Sequence, residues 1–210
     1  MRCPPGDAAR APDRPRGGAS IPAVLGGAFR NNHKPKEYAM KTSILLAAAA
    51  VALTTSLPAN AAKFMDAAWA KQMCETWNKT DKLTTGLGDS WIKNDAGRGF
   101  KIIQLYRTQC GPATKVELKI VPKDGKAMCT AGGAVTQQTL NKDVDYVMHA
   151  TDDDWTCMGQ GKFGCGAMGA MMTGKLKFEG PKGEAMGVMG PFDGFLVATG
   201  SVPGDKSGCP

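Results

Sequence analysis

From residue 67 onward, apolar side chains recur at helical spacing. Trp69, Met73 and Trp77 fall four apart, and Met65, Ala70 and Cys74 broaden the same face. This period predicts an amphipathic helix over 67–79, capped by Asp66 and packed into a core through its two tryptophans. The period then shortens to two. Residues 100–107 (FKIIQLYR) are β-branched and aromatic, and 114–121 alternate, with Val116, Leu118 and Ile120 on one face and Lys115, Glu117 and Lys119 on the other. Asp124-Gly125 tolerates the positive φ of a tight hairpin, so 127–134 is read as the return strand, weakened by Gly132 and Gly133. Residues 144–150 (VDYVMHA) form a further alternating strand.

Thr151 followed by Asp152, Asp153 and Asp154 is a helix start, since a hydroxyl or carboxylate caps the free N–H groups and acidic residues suit the positive helix end. Glycines at 159, 161, 164 and 166 break the next stretch, which predicts one short helix, an interruption and a second short helix up to Met172. Residues 174–180 (GKLKFEG) read as a brief strand. Residues 182–199 read as helix interrupted at Pro191, and 204–210 as a frayed tail. Strands and helices are partly segregated, which predicts an α+β fold: one mostly antiparallel sheet with helices packed on one face.

The chain's start reads differently. Met40-Lys41, an apolar run over 44–53 and small residues ending in Ala59-Asn60-Ala61 carry the pattern of a secretory signal peptide over 40–61. The run is shorter than the ~20 residues that span a bilayer. Residues 1–39 are rich in Pro, Gly, Ala and Arg without periodicity and are read as a mis-assigned start or a disordered leader. Cleavage near Ala61 predicts a periplasmic or secreted domain over 62–203. Eight of the 26 Lys and Arg and three of the 19 Asp and Glu precede residue 62, so the formal charge falls from +7 to +2 without the leader. Net charge therefore gives no argument for nucleic acid as a partner. Cys74, Cys110, Cys129, Cys157, Cys165 and Cys209 form an even set suited to disulfides after export, with the pairing left open.

Two runs bring a family into view. Asp143-Val144-Asp145-Tyr146-Val147-Met148, followed by an acidic cap and Trp155, resembles the sterol carrier protein type two family. So does Ala170-Met171-Met172-Thr173-Gly174-Lys175-Leu176-Lys177-Phe178-Glu179-Gly180, with Ala185-Met186 after it. The resemblance covers about 100–202. It implies a five-stranded sheet with helices over one face and an apolar tunnel that takes a sterol, a fatty acyl chain or a similar lipid, without catalysis. This chain departs from the family in its export signal and in its glycine-broken, cysteine-bearing segment over 157–165.

At matching positions the family's cavity is walled by the helix after the fourth strand, the last strand and the final helix. This nominates Trp155, Met158, Met168, Met171, Met172, Phe178, Met186, Met189, Phe192, Phe195 and Leu196 as ligand-binding residues. The methionines support it independently, because an unbranched, polarisable side chain adapts to an apolar ligand. The expected partners are a lipid ligand and, transiently, a membrane, with the protein a monomer and no cofactor. Copper(I) binding is the alternative: Met168-x-x-Met171 and Met186-x-x-Met189 put thioether pairs on helix faces, with His149 and Cys157 nearby. An enzyme is not expected, because no nucleophile elbow, phosphate loop or paired-histidine motif is present. Arg98, Lys101 and Arg107 read as a solvated strand face.

Overall fold

Strand alternation decides which side of the sheet meets the helices. The computed structural model describes residues 62–210, so the expectations for 1–39 and 40–61 lie outside the described residues. Five strands, β1 (Lys101–Arg107), β2 (Val116–Lys123), β3 (Lys126–Ala134), β4 (Tyr146–Ala150) and β5 (Lys177–Glu179), form one sheet in the order β3-β2-β1-β4-β5. Only the β1–β4 pair is parallel. Ile103 and Leu105 of β1 lie beside Leu118 and Val116 of β2 and beside Tyr146 and Met148 of β4, so one face carries a continuous apolar surface. The expected α+β sheet is present. Asp124 (φ 52°) and Gly125 (φ 72°) make the β2–β3 turn with the left-handed backbone that this pair favours.

The helices cover that apolar face. The first, α1 (Ala67–Asn78), is capped by Asp66, which accepts a hydrogen bond from Trp69 N at 2.6 Å. Its apolar side, Trp69, Ala70, Met73, Cys74 and Trp77, is buried. Trp77 Nε1 donates to Ala127 O at 2.8 Å, and Asn78 bonds both the N–H and the carbonyl of Cys129 at 2.8 Å. Gly132 permits this closeness, since a Cβ there would sit 2.1 Å from Ala70 O. Two four-residue helices, α2 (Asp81–Thr84) and α3 (Ser90–Lys93), follow where no element was expected; one turn is too short to show a period. The pair α4 (Asp152–Gly159) and α5 (Ala167–Met172) is broken as the glycines predict, and Thr151 caps α4 by accepting from Asp154 N at 3.2 Å. The last two helices are α6 (Lys182–Gly187) and α7 (Met189–Ser201).

Three expectations need correction. The final helical stretch breaks at Val188 and not at Pro191, because Pro191 falls in the first turn of α7, where no intrahelical N–H bond is lost. The tail is tied down: Phe64 N donates to Asp205 O and Asp205 N to Ala62 O, both at 2.8 Å, while Arg107 donates to the carbonyls of Lys206 (2.8 Å) and Gly208 (2.6 Å). Cys110–Cys209 then closes the end covalently. Arg98, Lys101 and Arg107 are not a solvated face. Arg98 pairs with buried Asp145 at 2.7 Å, Lys101 with Glu184 at 2.7 Å, and Arg107 with Asp152. The other disulfides are Cys74–Cys129, joining α1 to β3, and Cys157–Cys165. Three bridges fit an oxidising compartment. Among the described residues, no helix is long and apolar enough to cross a membrane.

The Cys110–Cys209 bridge spans 99 residues of sequence, so the unfolded chain loses much freedom through it. Replacing both cysteines by serine should lower stability by about 2–4 kcal/mol, read as a fall in the urea midpoint. Acid should loosen the same tail. Lys63 and Ser207 hold the Asp205 carboxyl well below the usual carboxylate range; at Asp152 burial pushes the carboxyl up, but Arg107 and Gln109 outweigh it and the net shift is downward. Depressed folded values stabilise fully above about pH 4 and lose that contribution as pH falls through them. The protection factor of Ser207 N, which donates to Asp205 Oδ1, measured against the intrinsic exchange rate at each pH, should fall below that pH before protection in the sheet does.

Candidate functional site

Between the sheet and the helices, six aromatic rings close into a collar. Trp77 meets Trp91 (6.2 Å between centroids), Trp91 stacks on Tyr146 (5.9 Å), and Tyr146 meets Phe178 edge-on (5.5 Å). Phe178 meets Phe192 (5.8 Å), Phe192 stacks on Phe195 (6.3 Å), and Phe195 returns to Trp77 (6.0 Å). The rings come from α1, α3, β4, β5 and α7, so the collar is a product of tertiary packing. They enclose an apolar cavity completed by Leu87, Ile103, Met148, Ala185 and Val188, with a free volume of about 30 Å³. Small-molecule pockets span roughly 300–1,000 Å³. The cavity is far smaller than that, and among the described residues the expected tunnel is not seen.

A polar cluster locks one side of the collar. Lys101 points inward from β1, opposite Ile120, and its side chain is completely buried. Its ammonium donates to Trp91 O (3.1 Å), Asn94 O (3.0 Å) and Glu184 Oε2 (2.7 Å), and lies 4.6 Å from the centre of the Trp91 ring. Tyr146 donates its hydroxyl hydrogen to Glu184 and accepts from Trp91 Nε1 at 2.9 Å; Asn94 Nδ2 donates to the other Glu184 oxygen at 2.8 Å. Burial pushes the Lys101 ammonium below its ordinary range, and Glu184 works against that shift. Burial and then Glu184 push the Tyr146 phenol far up, so it stays a donor. Glu184 belongs to α6, whose Ala185 forms cavity wall, so this carboxylate latches α6 over the collar.

Outside the collar lies an open groove of about 510 Å³, lined by Met168, Met171, Met172, Leu176, Phe178 and Met186 together with His149, Lys177, Glu179 and Lys182. His149 stacks on Tyr106 (4.4 Å) and bonds Thr108 through Nδ1 (2.9 Å); burial lowers its pKa. Phe178 lines both spaces and is the partition between them.

The structure thus divides the nominated residues. Phe178, Phe192 and Phe195 line the cavity, and Met168, Met171, Met172, Phe178 and Met186 line the groove. Trp155, Met158 and Leu196 are fully buried and line neither space, and half-buried Met189 lines neither. The reason is that α4 crosses α7 closely: a Cβ on Gly159 would lie 2.6 Å from Gly200 Cα. Trp155 instead reaches the sheet, donating from Nε1 to Tyr106 O at 3.3 Å. Sequence reasoning missed Trp91, Tyr146, Met148 and Lys101. The alternation of β4 places Tyr146 and Met148 on the helix-covered face and could have found them; Trp91 sits in a single helical turn and left no such signal. All six cysteines after residue 62 are paired, which leaves no thiolate for a soft metal.

Residues 100–193 match the SCP-2 sterol transfer family. The DVDYVM and GKLKFEG runs fall inside that match. Among solved structures, the chain is similar to a conserved hypothetical protein of Thermus thermophilus described as a candidate sterol carrier protein. The two are 16% identical, with 70% of this chain and 96% of that one covered and a TM-score of 0.43. It is also similar to a sterol carrier protein 2 structure, at 16% identity, 67% and 100% coverage and a TM-score of 0.42. No curated protein matches. The SCP-2 segment contains the whole sheet, Lys101, Glu184, Tyr146, Phe178 and Phe192, while Trp77, Trp91 and Phe195 of the collar lie outside it.

Removing one partner of a buried pair strands the other charge. Glu184→Ala should destabilise the protein by about 3–5 kcal/mol, whereas the double change Lys101→Met with Glu184→Leu should cost clearly less. Urea unfolding of the two variants side by side checks this.

Proposed function

We propose that this protein carries a single apolar lipid, held against the aromatic collar and the methionine groove, in the periplasm or after secretion. The supporting observation is the collar itself: six rings closed around a small cavity, with one of them, Phe178, shared with an open groove. The match to the SCP-2 sterol transfer family supports the same reading through the family's general lipid binding and transfer.

At about 30 Å³ the cavity is too small for a lipid chain as it stands. A lipid chain gains its volume by displacing Phe178 from the partition and by lifting α6 against the Glu184 latch. Methionines on the groove side follow the ligand's shape, because thioether chains have several rotatable bonds and no branch. Each buried methylene contributes about 0.8 kcal/mol, so ten give roughly 8 kcal/mol before the costs of ordering, enough for micromolar affinity when those costs are small. A polar metabolite gains nothing comparable. Release follows when the chain meets a membrane that offers the lipid an equal environment.

Native mass spectrometry of the protein purified from its exported compartment, followed by organic extraction, tests the reading. One lipid per chain is expected in the wild type and none in Phe178→Asp, with unchanged far-UV circular dichroism. Protein that arrives empty and takes up neither a fatty acid nor a sterol when challenged would overturn it.

A further inference from the structure

Oxidation-prone side chains are divided unevenly between the interior and the surface. All six cysteines after residue 62 are bridged, so none of them offers a thiol to an oxidant. Trp69, Trp77, Trp91, Trp155, Tyr106 and Tyr146 are buried. That leaves methionine. Met65, Met73, Met148 and Met158 are at most 2% exposed, whereas Met172 is 79%, Met186 45% and Met168 42% exposed. Met128, Met171 and Met189 are half-buried. The three exposed thioethers all border the open groove, and Met171 lines it with them.

The local structure holds them there. Met168, Met171 and Met172 stand at i, i+3 and i+4 on α5, which is one helix face, while Ala167 and Ala170 fill the buried side. Cys157–Cys165 closes the loop ahead of α5, Ala167 N donates to Asp193 Oδ1 at 2.5 Å, and Leu176 N donates to Ala170 O at 3.0 Å. Rolling α5 to bury its methionines would break these bonds. Met186 belongs to α6, so two separate elements present thioethers to one space.

A thioether sulfur attacks a two-electron oxidant through a lone pair. With hydrogen peroxide, an S–O bond forms to one oxygen as the O–O bond breaks. The other oxygen departs as hydroxide and takes the proton of the transferred oxygen, giving water. Sulfur is oxidised by two electrons and the peroxide reduced by two. The sulfoxide is polar and accepts hydrogen bonds, for which Lys177 and Lys182 of the same groove supply donors. A dithiol reverses the step: the thioether is restored, the dithiol closes to a disulfide and the oxygen leaves as water.

We propose that the groove is a reversible oxidation site, in which Met168, Met172 and Met186 become sulfoxides ahead of the buried methionines and the groove then loses affinity for an apolar chain. The loss of affinity rests on the carrier reading; the order of oxidation does not. Leucine at these positions would offer a similar apolar surface without this response. The thioethers thus make lipid uptake answer to the oxidant level around the protein.

Graded hydrogen peroxide treatment of the full chain, followed by site-resolved peptide mass mapping and uptake of a fluorescent long-chain fatty acid, tests the proposal. Met168, Met172 and Met186 should gain oxygen about tenfold faster or more than Met65, Met73, Met148 and Met158, with unchanged circular dichroism. Uptake should fall about tenfold as they do. A methionine sulfoxide reductase should restore it, with unoxidised protein carried through the same reductant as the control. In the combined variant Met168→Leu, Met172→Leu and Met186→Leu, peroxide should leave uptake at that variant's own starting value. Oxidation spread evenly over exposed and buried methionines, or uptake that persists once the three are fully oxidised, would overturn the proposal. Protein that takes up no lipid before treatment, yet oxidises first at these three, would support the oxidation site while the carrier reading fails.

Discussion

A lysine charge taken completely out of water has to be matched where it lies, and Lys101 sets that condition at the centre of the domain. Its ammonium is surrounded by groups from three separate elements. The carbonyls of Trp91 and Asn94 fix α3 and the chain after it, Glu184 fixes α6, and the rings of Trp91 and Tyr146 lie against it. None of these elements is long: α3 has four residues and α6 has six. Helices of that length do not hold together on their own, so tertiary contacts must hold them. The buried charge therefore positions two walls of the cavity that local propensity would leave loose.

The same logic operates elsewhere on the edges of β1. Arg98 reaches Asp145 ahead of β4, whose carboxylate also accepts from Ile102 N (2.8 Å) and Asn141 N (2.9 Å). Arg107 gathers Asp152 at the start of α4 and the carbonyls of the tail. An ion pair of this kind adds little net stability over well-packed apolar residues. What it provides is registration: each cation accepts only one arrangement of the loops that converge on it. β1 thus carries the apolar face and two of these charges, Lys101 and Arg107, with Arg98 in the turn just ahead of it.

Long elements were legible in the sequence and single turns were not. The four-residue spacing of Trp69, Met73 and Trp77 and the alternation of Val116, Leu118 and Ile120 each repeat often enough to declare a face, and both faces are buried as read. Pro191 misled because its effect depends on position within a turn, which periodicity does not give. The cavity was legible only in part. Phe178, Phe192 and Phe195 lie on elements whose apolar spacing marks them, whereas Trp91 arrives from a turn of four residues and Trp155 is drawn away by the close crossing of Gly159 with Gly200. Lys101 defied the alternation rule, since a lysine on a strand is normally read as facing water. Its partner lies 83 residues away, a separation at which local pattern carries no information.

Phe178 separates two spaces with one ring, and this has a bearing on stoichiometry. Because the ring is common to both, room made on the cavity side is taken from the groove side, so the two spaces do not act as independent sites with a ligand each. On the proposed carrier reading they would act as one compartment with Phe178 as its wall. A molecule short enough to rest in the groove leaves the wall where it is and stays wet along one flank. If the domain carries a lipid as proposed, only a chain long enough to push past the ring would exchange water for the aromatic collar along its length, which would make ligand length, before any headgroup, the first quantity selected.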